Sequence, residues 1–381
     1  MGRKFGIKRE INIDPLSYNI AIIGESGIGK STLIKNVCEK LAGDEGYIAL
    51  DIGKESGHDA ISGIVSAYIP DWATFKEFCE DVVENKLTDY KDLKVVVLDT
   101  YDQMLEIAEA EVIRMHNRAN PDKPKINSIK AAFGGFMSGE DKATEIVLDK
   151  LWELKSVGVS FISIGHTKKR DIEDPVTGET FSTITSNMTQ RQFNALKTKL
   201  HFLGVAYIDR EIIKQKTGKR NAVTKKDEVK GKILSESRRV TFRDDNYSVD
   251  SKSRFADIVD EIPLDADEFI KALQDAILAE HSKGDKTLAE SKKDLEKAKK
   301  AKEKEVAEKL KQDKENKVDV ERNEELIAII QTKFSAAPVE IKTTIKEIMA
   351  EYGFGNFKDI EVPTISLEKI VKLLEKDNAG G

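Results

Sequence analysis

The sequence predicts an α/β fold: a mainly parallel sheet covered by helices on both faces, with a charged helix and a small helical module after it. Short apolar runs that read as buried strands alternate with helically spaced apolar segments as far as residue 262, the pattern of strands joined by right-handed crossovers. One of those runs leads into Gly24-Glu25-Ser26-Gly27-Ile28-Gly29-Lys30-Ser31, which fits G-x-x-x-x-G-K-[ST] at every fixed position. From Lys283 to Arg322 the composition changes, and more than half of the residues are Lys, Arg, Asp or Glu.

The glycine-rich stretch has the right surroundings. Before it, Tyr18-Asn19-Ile20-Ala21-Ile22-Ile23 reads as a buried strand; after it, Leu33, Ile34, Val37 and Leu41 recur at helical spacing. A strand that turns through glycines into a helix N-terminus aims backbone N–H groups and the positive end of the helix dipole at one point, which suits a polyphosphate. Residues Gly24, Glu25, Ser26, Gly27, Ile28, Gly29, Lys30, Ser31 and Thr32 therefore form the expected cradle for ATP. In it Lys30 reaches the β- and γ-phosphates and the Ser31 hydroxyl ligates Mg²⁺.

The whole-chain numbers narrow the class. At 381 residues the chain has room for more than one domain, and 34% charged residues exceed the usual quarter. A net charge of −6 gives no global basic field, so contact with nucleic acid has to come from local patches. The two cysteines, Cys38 and Cys79, offer neither metal-ligand spacing nor a disulfide framework, and Cys38 reads as core. No apolar run is long enough to span a membrane and none follows the basic N-terminus, so the expectation is a soluble, cytoplasmic protein with no membrane partner.

The elements follow in order. Residues 1–17 form a polar entry. Gly46-Tyr47-Ile48-Ala49-Leu50-Asp51 is a second strand with the loop Gly53-Lys54-Glu55-Ser56-Gly57 behind it, and Asp71 to Glu84 has helical spacing. Val95-Val96-Val97-Leu98 ends in Asp99-Thr100 and reads as a strand buried on both faces. A long helix through Met104, Ile107, Ala108 and Val112 follows, then a basic, irregular segment 117–140, a helix from about Asp141 to Ser156, and a fourth strand Val159 to Ile164. A polar loop to about Thr189, a short helix and a fifth strand, His201 to Ile208, come next, with Lys232–Leu234 and Val240–Phe242 as an edge hairpin. The expected division is a core, 1–262; an amphipathic helix and charged helical linker, 263–322; and a helical module, 323–381.

Asp99, at the end of a buried strand, can hold Mg²⁺ opposite the phosphate loop. Hydrolysis further needs a carboxylate near the γ-phosphate to position or deprotonate water. Asp51 and Glu55 both follow the second strand; Glu55 is favoured for its reach, while Asp51 can equally be a strand-end cap. His166 and Thr167 end the fourth strand at the same crevice, where His166 is either a γ-phosphate sensor or a structural hydrogen bonder. The segments 117–140 and 166–191 interleave cations with Phe133, Phe136 and Phe181, which suits single-stranded nucleic acid as well as a pair of solvated loops.

The combination of GESGIGKST at 24–32, VVVLDT at 95–100, ISIGHTKKR at 162–170 and YSVDSKSRF at 247–255 resembles phage nucleotide-binding ATPases of the RecA-like class of AAA/P-loop ATPases, and within it the Sak-type single-strand annealing recombinases. The resemblance covers roughly residues 15–262 and implies a RecA-like P-loop core that acts with ATP on single-stranded DNA, in recombination or replication, as a homo-oligomeric ring or filament. It also implies that the segments after the third and fourth strands face the DNA. RecA-like enzymes usually carry an acid immediately after the second strand, whereas here Ile52-Gly53 intervenes and Glu55 comes next. The C-terminal helices lie outside the match and can recruit a partner such as a single-strand binding protein or hold the oligomer. Lys252 and Arg254 stand two apart, so in an extended segment both side chains point to one side and can reach one phosphate. They resemble the paired cations that RecA-like proteins insert across the subunit interface; a solvated basic turn is the other reading.

Overall fold

The computed structural model describes residues 11–55, 57–173, 177–220, 227–243, 249–284, 287–316, 318–335 and 337–378. Residues 1–10 of the polar entry, Ser56 of the loop after the second strand, 174–176 of the second basic segment, and Tyr247 and Ser248 of the family-like segment lie outside the described residues.

The strands in chain order are β1 (Ile20–Gly24), β2 (Tyr47–Ile52), β3 (Ser66–Ile69), β4 (Val95–Asp99), β5 (Ser160–Glu173), β6 (Thr180–Ser186), β7 (Phe202–Arg220), β8 (Asp227–Thr241), β9 (Lys252–Ser253) and β10 (Glu261–Pro263). The helices of the first compact unit are α1 (Lys30–Ala42), α2 (Trp72–Glu84), α3 (Tyr101–Ala119), α4 (Ser138–Ser156), α5 (Gln190–Lys197) and α6 (Ala266–Ser282). Among the described residues the strands form one sheet in the order β10-β8-β7-β1-β5-β4-β2-β3, with β6 added to β5 and β9 to β7. The pairings from β7 through β1, β5, β4 and β2 to β3 are all parallel, so the α/β expectation holds.

Parallel neighbours force crossovers, and their hand fixes the faces. The chain moves one way from β1 to β2 and the other way from β3 through β4 and β5 to β7, so α1 covers one face and α2, α3, α4 and α5 the other. Strands covered on both faces need continuous apolar runs, and β1 and β4 are buried at every position. On the α1 face, Leu33, Ile34 and Val37 meet Ile20, Ile22, Val95 and Val97, with Phe269, Leu273 and Ile277 of α6 in the same cluster. Truncating one of these isoleucines or leucines to Ala costs about 2–5 kcal/mol. This apolar cluster extends past the boundary expected after residue 262, and the first compact unit runs to Lys299. Cys38 and Cys79 are both buried and free, and burial pushes the Cys79 thiol up to about 12.

Three elements differ from the sequence reading. β3 was not among the expected strands; it is four residues long and partly exposed, so it leaves no apolar run to read. The expected polar loop after the fourth strand is a β-ladder: β5 continues to Glu173 and pairs antiparallel with β6 from Thr167↔Ser186 to Glu173↔Thr180. Its backbone groups bond each other while one face stays wet, so polarity there does not signal a loop. The edge hairpin is likewise larger than expected, because Lys232–Leu234 and Val240–Thr241 lie on the same strand, β8, whose partner is β7.

The helix α7 (Leu288–Asn316) carries the charged stretch. In the second compact unit, 300–381, α8 (Val320–Phe334), α9 (Val339–Glu351) and α10 (Thr364–Asn378) enclose their own core of Leu326, Ile330, Ile345, Met349, Leu367 and Ile370. Buried Asn323 ties its last loop down by donating Nδ2 to the carbonyls of Ile360 (2.8 Å) and Val362 (2.7 Å). Among the described residues no helix is long and apolar enough to cross a membrane.

Candidate nucleotide site

The site begins where β1 ends. A Cβ at Gly24 would lie 2.7 Å from the Ala206 carbonyl oxygen on β7, so only glycine lets the chain leave the sheet there. Gly29 takes φ +108° as the N-cap of α1, a conformation L side chains rarely adopt. Lys30 opens the helix and is only 5% exposed; its ammonium donates to the carbonyls of Gly24 (3.0 Å) and Glu25 (2.9 Å). Burial lowers the Lys30 pKa, and the carboxylates of Asp99, Asp102 and Glu55 oppose that shift. A second cation meets the loop from β8, where Arg238 donates Nη1 to the Ile28 carbonyl at 3.1 Å.

The register of the sheet assembles the acids. Asp51 stands beside Asp99 on the β2–β4 ladder, and His166 stands beside Gly24 on the β1–β5 ladder, so all four reach one edge. Asp99 is buried, and its Oδ2 meets His58 Nε2 at 3.1 Å. One helical turn on, Asp102 Oδ2 accepts the His166 backbone N–H at 2.9 Å and meets His166 Nδ1 at 2.8 Å. The bond to Asp102 raises the His166 pKa, with burial and Lys30 acting against it. Burial raises the Asp51 pKa as well.

Lys30, Glu55, Asp99 and His166 are thus brought together, since Glu55 lies within electrostatic reach of both Lys30 and His166. Sequence reasoning missed His58, Asp102 and Arg238. Asp102 was detectable as a second acid three residues beyond Asp99; His58 and Arg238 become visible only once the loop after β2 and the β7–β8 ladder are folded.

The arrangement fits ATP with Mg²⁺. Asp51 Oδ1, His58 Nδ1, Asp102 Oδ1 and Ser163 Oγ are buried without a hydrogen-bond partner, which is uncommon in a folded interior and marks a place built for a polar ligand. Lys30 and the backbone N–H groups of the loop would hold the phosphates; Ser31 and Asp99 offer the oxygen ligands that a hard cation takes. Bound there, Mg²⁺ supplies neutralisation of charge on the transferring phosphoryl group.

Lys252 and Arg254 lie elsewhere within the chain. β9 pairs with Phe202 and Leu203, at the end of β7 where β1 begins rather than where the phosphate loop starts. Their side chains cap α5 and its exit: Lys252 donates to the Lys197 carbonyl, and Arg254 donates to those of Thr198 and Leu200. Burial first, then Lys155, Arg254 and Lys252, depress the His201 pKa to about 4.

The second basic segment and the start of α5 are tied to the nucleotide edge and to α3 and α4. The Asn187 N–H bonds the His166 carbonyl at 2.9 Å, Arg191 pairs with Asp141 at the start of α4, and Gln192 donates to Glu109 of α3 at 3.0 Å. Just before α4, Phe133, Phe136 and Met137 all have left-handed backbones, and Phe136 is 97% exposed. A strained run that presents a phenylalanine to water is a functional hint, because strain and exposed apolar surface both cost free energy. In the second segment Lys168 donates to the carbonyls of Asn187 (2.8 Å) and Met188 (3.0 Å), and Arg170 bonds Gln190, so Lys168 and Arg170 hold the return to α5. A cavity of about 390 Å³ joins Glu25 of the phosphate loop to Lys168, Lys169 and Thr183 of the β5–β6 hairpin.

A family model described as an AAA domain matches residues 16–255. No curated protein sequence matches the chain. Among solved structures, an ATPase from the type III secretion system of pathogenic bacteria aligns at 14% identity and a TM-score of 0.29, over 51% of this chain and 53% of that one, so the chain spans about half the length of that ATPase. The family match takes in the phosphate loop, Asp99, His166 and the strands that carry them, and the chain belongs to the AAA domain family.

Proposed function

We propose that the protein binds and hydrolyses ATP with Mg²⁺ to act on single-stranded DNA, as a phage-type recombination protein that anneals or exchanges strands. The observation that carries this reading is Phe136, held almost fully exposed on a strained run, with half-exposed Phe133 and exposed Lys123, Lys125 and Lys130 on the same segment. Aromatic faces stack on bases while cations track the phosphates, and neither needs a particular sequence. The cavity that joins the phosphate loop to the β5–β6 hairpin supports coupling between nucleotide and DNA. Glu55 is proposed to position the attacking water and His166 to respond to the γ-phosphate. Lys252 and Arg254 act, on this reading, on the phosphate of a neighbouring copy in a ring or filament.

Binding of a fluorescent oligothymidylate at several salt concentrations tests the DNA assignment. Phe136→Ala should cost about 1–3 kcal/mol of affinity and leave the salt slope unchanged. The triple Lys123, Lys125, Lys130→Ala variant should flatten the slope by about one per lost phosphate contact. Wild-type affinity and slope in both variants would move DNA off this segment. The intersubunit role is tested by mixing Arg254→Ala with Lys30→Ala protein: activity should partly return where an intact loop meets an intact Arg254. Co-assembled mixtures that stay inactive would contradict action across an interface.

A further inference from the structure

His58 is the less exposed of the two histidines beside the site, and the roles assigned above to Lys30, Glu55, Asp99 and His166 leave it unused. It sits in the short turn Gly57–Ala60 after β2, where the Ile61 N–H bonds its carbonyl at 3.0 Å. Its side chain is 5% exposed, and its Nε2 lies 3.1 Å from Asp99 Oδ2. A carboxylate oxygen accepts hydrogen bonds, so the imidazole serves Asp99 by donating Nε2–H to Oδ2.

The bond matters because the last torsion of an aspartate is soft. A carboxylate at a strand end swings broadly about that torsion unless something holds one oxygen. Here the imidazole holds Oδ2, and among the described residues no hydrogen bond engages Oδ1. Carboxylates that ligate metals are themselves hydrogen-bonded from behind, and removing such a partner lowers metal affinity about 10–100-fold.

We propose that His58 is a positioning residue for Mg²⁺: its buried Nε2–H fixes Asp99 by one oxygen and leaves the other as the ligand. The inference rests on Asp99 serving the metal of the bound nucleotide. It concerns binding rather than turnover, so it is read without hydrolysis.

The experiment is equilibrium binding of a fluorescent ATP analogue, titrated with Mg²⁺ and repeated in EDTA, on wild-type protein, Asp99→Asn, His58→Leu and His58→Gln. His58→Leu should need about 10–100-fold more Mg²⁺ for half-maximal enhancement while its affinity in EDTA matches wild type. His58→Gln, which keeps an N–H donor at the end of its side chain, should recover most of the loss. A wild-type Mg²⁺ curve for His58→Leu beside a shifted Asp99→Asn curve overturns the role of His58 alone. An unshifted Asp99→Asn curve overturns the Asp99 assignment and this inference with it. If His58→Leu does not fold, His58→Asn, too short to reach Oδ2, takes its place; a curve equal to that of His58→Gln then counts against the proposal.

Discussion

Two histidine–aspartate pairs meet at the same sheet edge, one deep and one shallow, and their difference in exposure suits them to different work. In the deep pair the His58 and Asp99 side chains are both nearly sealed from solvent, and the bond is 3.1 Å long. In the shallow pair His166 and Asp102 are partly exposed, and His166 also feels Lys30 and Glu55. A sealed pair fixes the direction of a carboxylate, whereas a wet pair beside a cation and an acid can change its charge when phosphate arrives. Asp99 and Asp102 are three residues apart, and the strand-to-helix turn between them sends them to different partners.

The comparison is broken most severely by removing what both pairs serve. Lys30→Ala should abolish ATP turnover with the fold intact, because it removes the cation over the β- and γ-phosphates; full activity would sink the site. Asp99→Asn should keep some nucleotide affinity and lose Mg²⁺-dependent hydrolysis. Asp102→Asn should have a smaller effect if, as proposed, the His166 pair responds to phosphate while Asp99 holds the metal. Equal losses in the two asparagine variants, by steady-state ATPase assay, would erase the distinction drawn between the pairs.

The smallest expected effect is a pH dependence. The His166 pKa is raised above its ordinary 6.5 by Asp102, so the stability that pair contributes is complete below 6.5 and is lost as pH rises through the raised value. The Tm difference between wild type and His166→Gln should therefore be larger at about pH 6 than at about pH 9. His201 works the other way in both proteins: it accepts the Asn19 N–H at 3.1 Å as a neutral ring, and its pKa of about 4 removes stability as pH falls below 6.5. That common loss cancels in the difference. A gap of the same size at both pH values would deny His166 its charged partner.

The parts of this fold that follow from short-range pattern were legible in the sequence. β1, the phosphate loop and α1 are contiguous, and β4 announces itself by an apolar run that ends in an acid. What was not legible depends on pairing between distant residues. The β5–β6 ladder looks like a polar loop because lysines, serines and threonines run through it, although Thr183 and Thr185 are buried, and only the register Lys168↔Thr185 reveals the strands. His58 could not be placed because 41 residues separate it from Asp99, and Arg238 reaches Ile28 across 210. Lys252 and Arg254 are expected from their spacing to share a phosphate, whereas within the subunit both donate to carbonyls at the end of α5, which the spacing alone does not reveal.

The proposed function couples one nucleotide site to loops that would face DNA. The most direct test is the steady-state ATPase rate of the full-length protein with and without single-stranded DNA, alongside Lys30→Ala. The account predicts Mg²⁺-dependent turnover that rises when single-stranded DNA is added and vanishes in Lys30→Ala. Turnover that is indifferent to DNA, or that survives in Lys30→Ala, would contradict it.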